Sequence, residues 1–524
     1  MPLIASQKSE AAARRWTYLV IPSVSDVVFI TLLFGLSCGA LGRLLLRDAS
    51  IGWHIRNGQQ MLLTHQITRT DLFSSTMSGR PWFAWEWLYD VVFAGIDRTL
   101  GLNGVVFYTA AIVAATFVLV FSLTMRRGGN LPITVFLLIL ALGASAVHFL
   151  ARPHVVSWLL TAVWFELLDS ASAMSYRRLL WLPPIMLLWV NVHGGFVLGF
   201  LLLAVYLASD AIDMVTHRSQ RNEIVIHLKW LGSTTLLVFA ASFINPYTYH
   251  LHEHVVHYLT DKFLMNHISE FLSPDFHGAA QQCFALLVLI AIIAVGSARR
   301  KLSTQRLLVL LFVVYSGFYA TRSLPTSALL MTLIIAPVLS QTQSALAISN
   351  HVAQWLRGPA AWFEAFGGRM MNLEGKLSGH LWLVIAFGLG LWACAHSGRI
   401  GSEPVINAYF DAKRFPVQAA EAIAERKIPG PIFSLDYWGG YLIYRLYPQV
   451  QVVADDRHDL YGDRFFKDFL KIVLVQPGWS ETLDKLQVNW VLMPPDSTLA
   501  NMLRLQPGWK IEYEDQTAVL MRRL

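Results

Sequence analysis

Runs of about twenty apolar residues recur along this chain, each long enough as a helix to cross roughly 30 Å of hydrocarbon, and that recurrence limits the fold more than any other feature. Apolar residues make up 55% of the 524 and charged ones only 14%, so the chain reads as a polytopic α-helical membrane protein. Spans are expected near 27–46, 103–124, 131–150, 155–170, 179–192, 196–214, 228–244, 280–297, 307–321, 325–340 and 380–397, about eleven in all. The first run, Val27 to Leu46, is too long for a signal peptide and lacks its small-residue cleavage site, so it reads as a retained anchor. Cys38, Cys283 and Cys394 all lie inside apolar runs, which leaves no pair for a disulfide in an exported loop.

Basic clusters set the expected orientation. Arg14 and Arg15, Arg126 and Arg127, Arg177 and Arg178, Arg218 and Arg221, Arg299 to Lys301, and Arg357 with Arg369 and Lys376 fall in alternate connections, which the positive-inside rule makes cytoplasmic. The net charge of +7 is then a topology signal and points to no nucleic-acid partner. The expected organisation is a cytoplasmic N-terminus (1–26), a transmembrane domain (27–397) with a large first outer loop (47–102), and an extracytoplasmic tail (399–524). In the tail, "FPVQAAEAIAERKIPG" reads as a helix closed by Gly430, "PIFSL", "VQVVAD", "NWVLM" and "KIEYEDQTAVLMRR" as strands, and "SETLDKLQ" and "TLANMLRL" as helices. A small α/β domain follows. The segment "HVAQWLRGPAAWFEAFGGRMM" has the composition of an interfacial helix.

In this topology the polar clusters fall on one side. They are Asp48, Trp53, His54 and Arg56; Asp71; Glu86 and Asp90; Arg152 and His154; Asn191 and His193; Asn245; Glu270, Asp275 and His277; and Arg322. Ionisable groups at membrane depth are costly and tend to face an interior cavity, so these are read as converging on one aqueous mouth. Simpler roles stand beside that reading. "NVHGG" also suits a tight turn, Arg152 also suits snorkelling to phosphates, and His250, His252, His254 and His257 match no zinc spacing. In the first loop, Ile51, Ile55 and Leu62, and then Trp85, Leu88, Val92 and Ile96, repeat at helical spacing. Two amphipathic helices lying flat on the membrane are expected, with Asp48 at the end of the first span as a general base or cation ligand, or else an ion-pair partner of Arg43 or Arg47.

The motifs "DASIGWHIRNG", "TRTDLFS", "PWFAWEWL", "RPH", "NVHGG", "NPY", "SPDFH", "DYWGGYLIYRLYP" and "DRHDLYGD" resemble a bacterial family of GT-C-like polytopic membrane proteins with an exported C-terminal α/β domain. The similarity runs from Leu45 to Arg523. It implies sugar transfer from a polyprenyl-phosphate-linked donor to a glycan, lipid or protein acceptor, at the outer face of the bacterial inner membrane and among membrane lipids. By the resemblance Asp48 is catalytic, and Arg152, His154, His193 and Arg322 bind the donor phosphate. His54, Arg56, Asn191, Asn245, Glu270, Asp275 and His277 are expected to line the cavity. The position two after Asp48, more usually acidic, is Ser50. An Asp-x-Asp metal pair is therefore not expected, and the chemistry calls for a metal-free route or a contribution from Asp71 or Glu86. A transporter or flippase of lipid-linked sugars and a non-catalytic scaffold are the other classes. The first calls for paired repeats and polar groups reaching both faces, neither of which the sequence shows.

Overall fold

The computed structural model describes residues 20–171, 175–348, 354–377 and 379–524. Arg14, Arg15 and most of the expected N-terminal segment lie outside the described residues. Every expected span but the first falls mainly on one helix, and 27–46 is broken at Cys38 into Val24–Ser37 and Gly39–Leu44. Trp87–Arg126, Leu131–His148, Gly194–Thr216, Arg221–Ser242, Ala279–Ser297 and Thr321–Ile348 are long and apolar enough to cross a membrane, and Val24–Ser37, Thr304–Tyr319 and Leu381–Ala395 are shorter apolar helices. The protein is a multi-pass membrane protein.

Two further spans are also short, and they carry polar residues at their ends. His154–Asp169 has 16 residues and Leu182–Val192 has 11, which at 1.5 Å per residue reach part of the way. Both end where polar residues gather: Arg152 precedes the first, and Asn191 and His193 close the second. The bundle centre is held by Trp87–Arg126 and Leu324–Ile348, whose apolar side chains are mostly buried, whereas Arg221–Ser242 and Ala279–Ser297 leave most of theirs, such as Leu236 and Ile292, exposed. The second set has the surface of lipid-facing helices.

The first loop departs from expectation. Its helix Ser50–Thr64 forms as expected, but its neighbour starts at Trp87 and continues through a kink at Gly101 into the second span, as far as Arg126. Gly101 has φ +62°, the left-handed region in which glycine is least strained. The two helices do not lie flat with their acidic face in water. They pack on each other, and Asp90 is fully buried between them, paired with His54 Nδ1 and accepting from Asn57 Nδ2 at 2.6 Å. A buried carboxylate persists only with such partners, so the polar stripe marks an internal seam.

The tail begins with the two-residue pair β1 (Arg399–Ile400) and β2 (Glu403–Pro404). Its sheet holds β3 (Ile432–Ser434), β4 (Trp490–Met493), β5 (Trp509–Glu514) and β6 (Val519–Arg523), in the order β3-β4-β6-β5. β3 and β4 are parallel and the other pairs antiparallel. Helices Val417–Glu425, Trp479–Lys485 and Thr498–Arg504 fall where the sequence puts them, while "VQVVAD" forms only isolated bridges from Val452 to Ile432 and to Ser74. That second bridge joins tail to loop, reinforced by Ser75 N–H donating to the Val452 carbonyl at 2.9 Å. "DYWGGYLIYRL" is a helix, Asp436–Leu446, seated on Ser50–Thr64. A Cβ on Gly52 would lie 2.3 Å from the Gly440 carbonyl oxygen, and one on Gly440 would lie 2.3 Å from that of Ala49. The glycines are therefore what lets these helices touch.

Candidate active site

A cavity of about 1040 Å³ lies between the helix ends and the tail. Asp48 stands on its wall, just ahead of helix Ser50–Thr64. Its Oδ1 accepts from the Ser50 N–H at 2.9 Å and the Ser50 hydroxyl at 2.7 Å, and its Oδ2 meets Arg152 Nη1 at 3.2 Å. Arg152 also approaches Glu270 at 3.7 Å, and Glu270 in turn pairs with Arg322 Nη1 at 3.2 Å. Four charged groups from four separate segments thus form one chain: Asp48, Arg152, Glu270, Arg322. Burial pushes the Asp48 carboxyl up, but Arg152 and the two Ser50 bonds outweigh it and hold the group below its usual range. Glu270 behaves likewise: burial raises it, Arg322 and then Arg152 bring it well below the normal carboxylate range.

Glu86 belongs to the same wall but has opposite electrostatics. It lies 3.6 Å from His54 Nε2 and 3.6 Å from His193 Nε2, with no arginine in ion-pair contact among the described residues. Burial, together with Asp90, pushes its carboxyl up to about 7 against the pull of His54, Arg152 and Arg322. His54 is depressed to about 3, chiefly by burial, and stays neutral. His193 is held by its backbone: Nδ1 accepts from the Gly195 N–H at 3.1 Å and meets the Ser157 hydroxyl at 2.7 Å. Its Nε2 faces Glu86 at 3.6 Å and, at 3.1 Å, the donor Nη2 of Arg322. Burial first, then Arg322, His154 and Arg152, hold this histidine neutral.

The tail supplies the remaining wall with Asp436, Tyr437, Asp456, Arg457, His458 and Asp459. Arg457 is fully buried and ties the tail to the first loop. It binds Asp455 through Nε at 2.8 Å and Nη2 at 2.6 Å, meets Asp71 through Nη1 at 2.8 Å, and lies 4.5 Å from the Trp82 ring centre. Trp53 donates its indole N–H to Asp456 Oδ1 at 2.9 Å. His458 pairs with Asp436 at 2.9 Å, and His254 meets Asp459 at 3.2 Å.

Asp48, Glu86, Arg152, His154, His193, Glu270 and Arg322 all lie on this cavity. Several expected residues lie elsewhere. Asp71 is buried in the Arg457 tie and also accepts from Ser74, which makes it part of the scaffold. His54 stands behind Glu86. Arg56 donates to the Tyr444 carbonyl at 2.8 Å, fastening the Asp436–Leu446 helix. Asn191 accepts from the Trp87 indole at 2.8 Å, and Asn245 organises its own turn. Asp275 and His277 pair with each other at 2.7 Å on the open surface, because the turn before Ala279–Ser297 points away from the bundle. The tail residues, Asp456 above all, escape the sequence reading. The stretch "ADDRHDLYGD" is dense in charge, but nothing in the order of residues puts it opposite Asp48.

For a divalent cation at Asp48 the donor set is a poor match. Both carboxylate oxygens already have protein donors, Ser50 brings a hydroxyl in place of a second charge, and no group of three or more His, Cys, Asp or Glu among the described residues is arranged to hold a metal.

Neither protein-family models nor curated protein sequences give a match to the chain. Among solved structures it is similar to the archaeal oligosaccharyltransferase AglB from Archaeoglobus fulgidus, in complex with an inhibitory peptide and a dolichol-phosphate. Identity is 11%, the match covers 92% of this chain and 69% of that one, and the TM-score is 0.56. It is also similar to ArnT from Cupriavidus metallidurans in the apo state, with 14% identity, 99% and 97% coverage, and a TM-score of 0.47. The likeness to AglB shows a shared fold.

Proposed function

We propose that this protein is a membrane glycosyltransferase that moves a sugar from a polyprenyl-phosphate-linked donor to an acceptor hydroxyl. The observation that carries the reading is the shared chain Asp48, Arg152, Glu270, Arg322 on a cavity that continues between spans, along Leu198, Leu201, Phe312 and Leu330. Such a cavity suits a ligand with an anionic head and an apolar tail. Arginine donors fixed before the reaction stabilise the charge that develops on a leaving phosphate, at no cost in reorganisation. Each guanidinium has five N–H donors, so Arg152 and Arg322 keep donors free for phosphate while Glu270 holds them in place. His193 and His154 add polar contacts without further charge. The Glu86 carboxyl, pushed up to about 7, carries less charge at neutral pH than a normal carboxylate and so repels a phosphate less. Asp48 stays ionised and orients the acceptor or the sugar.

The reading includes the cytoplasmic membrane of a bacterium with the cavity at its outer face. In support, Arg126, Arg127, Arg177, Arg178 and Arg299 to Lys301 lie at helix ends remote from the cavity. A flippase is less well supported, since the cavity belongs to one end of the bundle.

Native mass spectrometry of detergent-purified protein with polyprenyl phosphate and its glycosylated forms tests this. Wild type and Asp48→Asn are expected to retain the lipid-linked sugar, and Arg322→Ala to lose it. Wild type that keeps other lipids but no lipid-linked sugar would overturn the proposal.

A further inference from the structure

The cavity contains two neighbouring carboxylates that are held very differently. Both oxygens of Asp48 are engaged, Oδ1 by Ser50 and Oδ2 by Arg152. Asp456 comes from the tail and receives one contact, the Trp53 indole N–H on Oδ1 at 2.9 Å, which leaves Oδ2 available to the cavity. Among the described residues no lysine or arginine nitrogen lies within 4.0 Å of it. Its backbone is fixed from behind, because the flanking Asp455 and Arg457 are buried and bound to each other and to Asp71. Asp456 is therefore a rigidly placed carboxylate with no lysine or arginine in direct contact among the described residues, facing the same space as the proposed donor site. Carboxylates whose lone pairs are taken are weak proton acceptors, while one with a free oxygen in a poorly solvated cleft is a strong one.

We propose that Asp456, contributed by the C-terminal domain, is a catalytic residue that takes the proton from the acceptor hydroxyl, while Asp48 remains ionised as an orienting group. This rests on the transfer reading above. The acceptor O–H bond breaks and its proton goes to Asp456 Oδ2. The freed electron pair forms the bond from acceptor oxygen to the sugar's anomeric carbon. The bond from that carbon to the phosphate oxygen breaks, and its electron pair stays on the polyprenyl phosphate beside Arg152 and Arg322.

The electrostatics agree with the geometry. Burial and then the charge of Asp48 push the Asp456 carboxyl up to about 7, with Asp455 adding to the rise and Arg152 and His458 opposing it. The groups facing it are Asp48 and Trp53 from the first loop, Arg152 from the turn before His154–Asp169, and Asp455, Arg457 and His458 from its own segment. A base works best when its pKa lies near the operating pH.

Asp456→Asn is a clean test, since the amide oxygen still accepts the Trp53 N–H but no longer takes a proton. The full-length protein is assayed with a polyprenyl-phosphate hexose as donor and membranes of the expressing cells as acceptor, counting released polyprenyl phosphate. Asp456→Asn is expected to lower kcat about 10²–10⁴-fold with the donor KM unchanged, and Asp456→Glu to recover part of it. A carboxylic-acid C=O band present in the infrared spectrum of wild type, absent in Asp456→Asn and fading as pH rises through about 7 is the second expected result. Unchanged kcat, or loss of donor binding and melting temperature together, would overturn the assignment, as would absence of the band. Wild type that releases no polyprenyl phosphate would overturn the transfer reading and the catalytic role with it. That failure shows before any variant is compared.

Discussion

The two ends of the bundle carry ion-pair networks of similar size and different design. At the end away from the cavity, Arg127 meets Asp169 at 3.0 Å and also pairs with Glu166, while Arg306 grips Asp169 with two bonds of 2.9 Å. His227 pairs with the buried Asp210 at 2.8 Å. There the cations meet carboxylates across tightly packed helix ends. At the cavity end, Arg152 is shared between Asp48 and Glu270, Glu86 faces two neutral histidines, and Asp456 has no lysine or arginine in ion-pair contact among the described residues. One helix joins the two networks: His154 lines the cavity and Asp169 closes the other end, 15 peptide steps or about 22 Å away. Charge at membrane depth is therefore not by itself a mark of function. Charge arranged around a void, with partners rationed, is.

If that contrast holds, removing a paired buried charge destabilises wherever it lies, and removing the cation-free Glu86 carboxylate beside the cavity stabilises. The largest loss is expected where the tail is tied to the loop. Arg457→Met leaves Asp71 and Asp455 buried without a cation and should cost about 3–5 kcal/mol, read as lowered resistance to denaturant in detergent and faster proteolysis between tail and bundle. Asp169→Asn comes next. It removes a buried partner of two arginines and should destabilise by about 3 kcal/mol while leaving donor binding as it was. A loss of binding there would break the division between the ends.

Glu86→Gln is expected to stabilise. A carboxyl raised from 4.5 to about 7 favours the fold below pH 4.5, and that contribution is lost as pH rises through about 7. The amide never pays this penalty, so the variant should be more stable than wild type by about 3 kcal/mol at pH 8, with the advantage vanishing near pH 4.5. Equal stability at all pH values would show that Glu86 is not strained. The smallest effect belongs to His277→Ala, which should change neither melting temperature nor donor retention, because the pair with Asp275 lies in solvent.

Much of the fold is legible in the sequence. Apolar run length places the helices, since a bilayer requires about twenty residues, and short β-like runs give β3 to β6. Less legible are the features set by distant partners. The amphipathic stripe of Glu86 and Asp90 looks the same whether it faces water or another helix, and the seam shows only in the pairing of Asp90 with His54 and Asn57 and the close approach of Gly58 to the Asp90 backbone. The site follows the same rule. Asp48, Arg152, His193 and Arg322 are recognisable as ionisable residues at the ends of apolar runs. Asp71 resembles them in sequence and is withdrawn from the cavity by Arg457, which lies 386 positions later. Asp456 enters through the same long-range docking, which no local pattern encodes.

The central claim is that the cavity holds a polyprenyl phosphate head between arginines of the Asp48–Arg152–Glu270–Arg322 chain. A structure of the full-length protein in lipid nanodiscs with added polyprenyl phosphate tests it most directly. The account predicts phosphate density in contact with both Arg152 and Arg322, with the chain leading out past Leu201 and Phe312. Phosphate at the far end beside Arg127, or a cavity filled only by water while lipid density surrounds the spans, would contradict it.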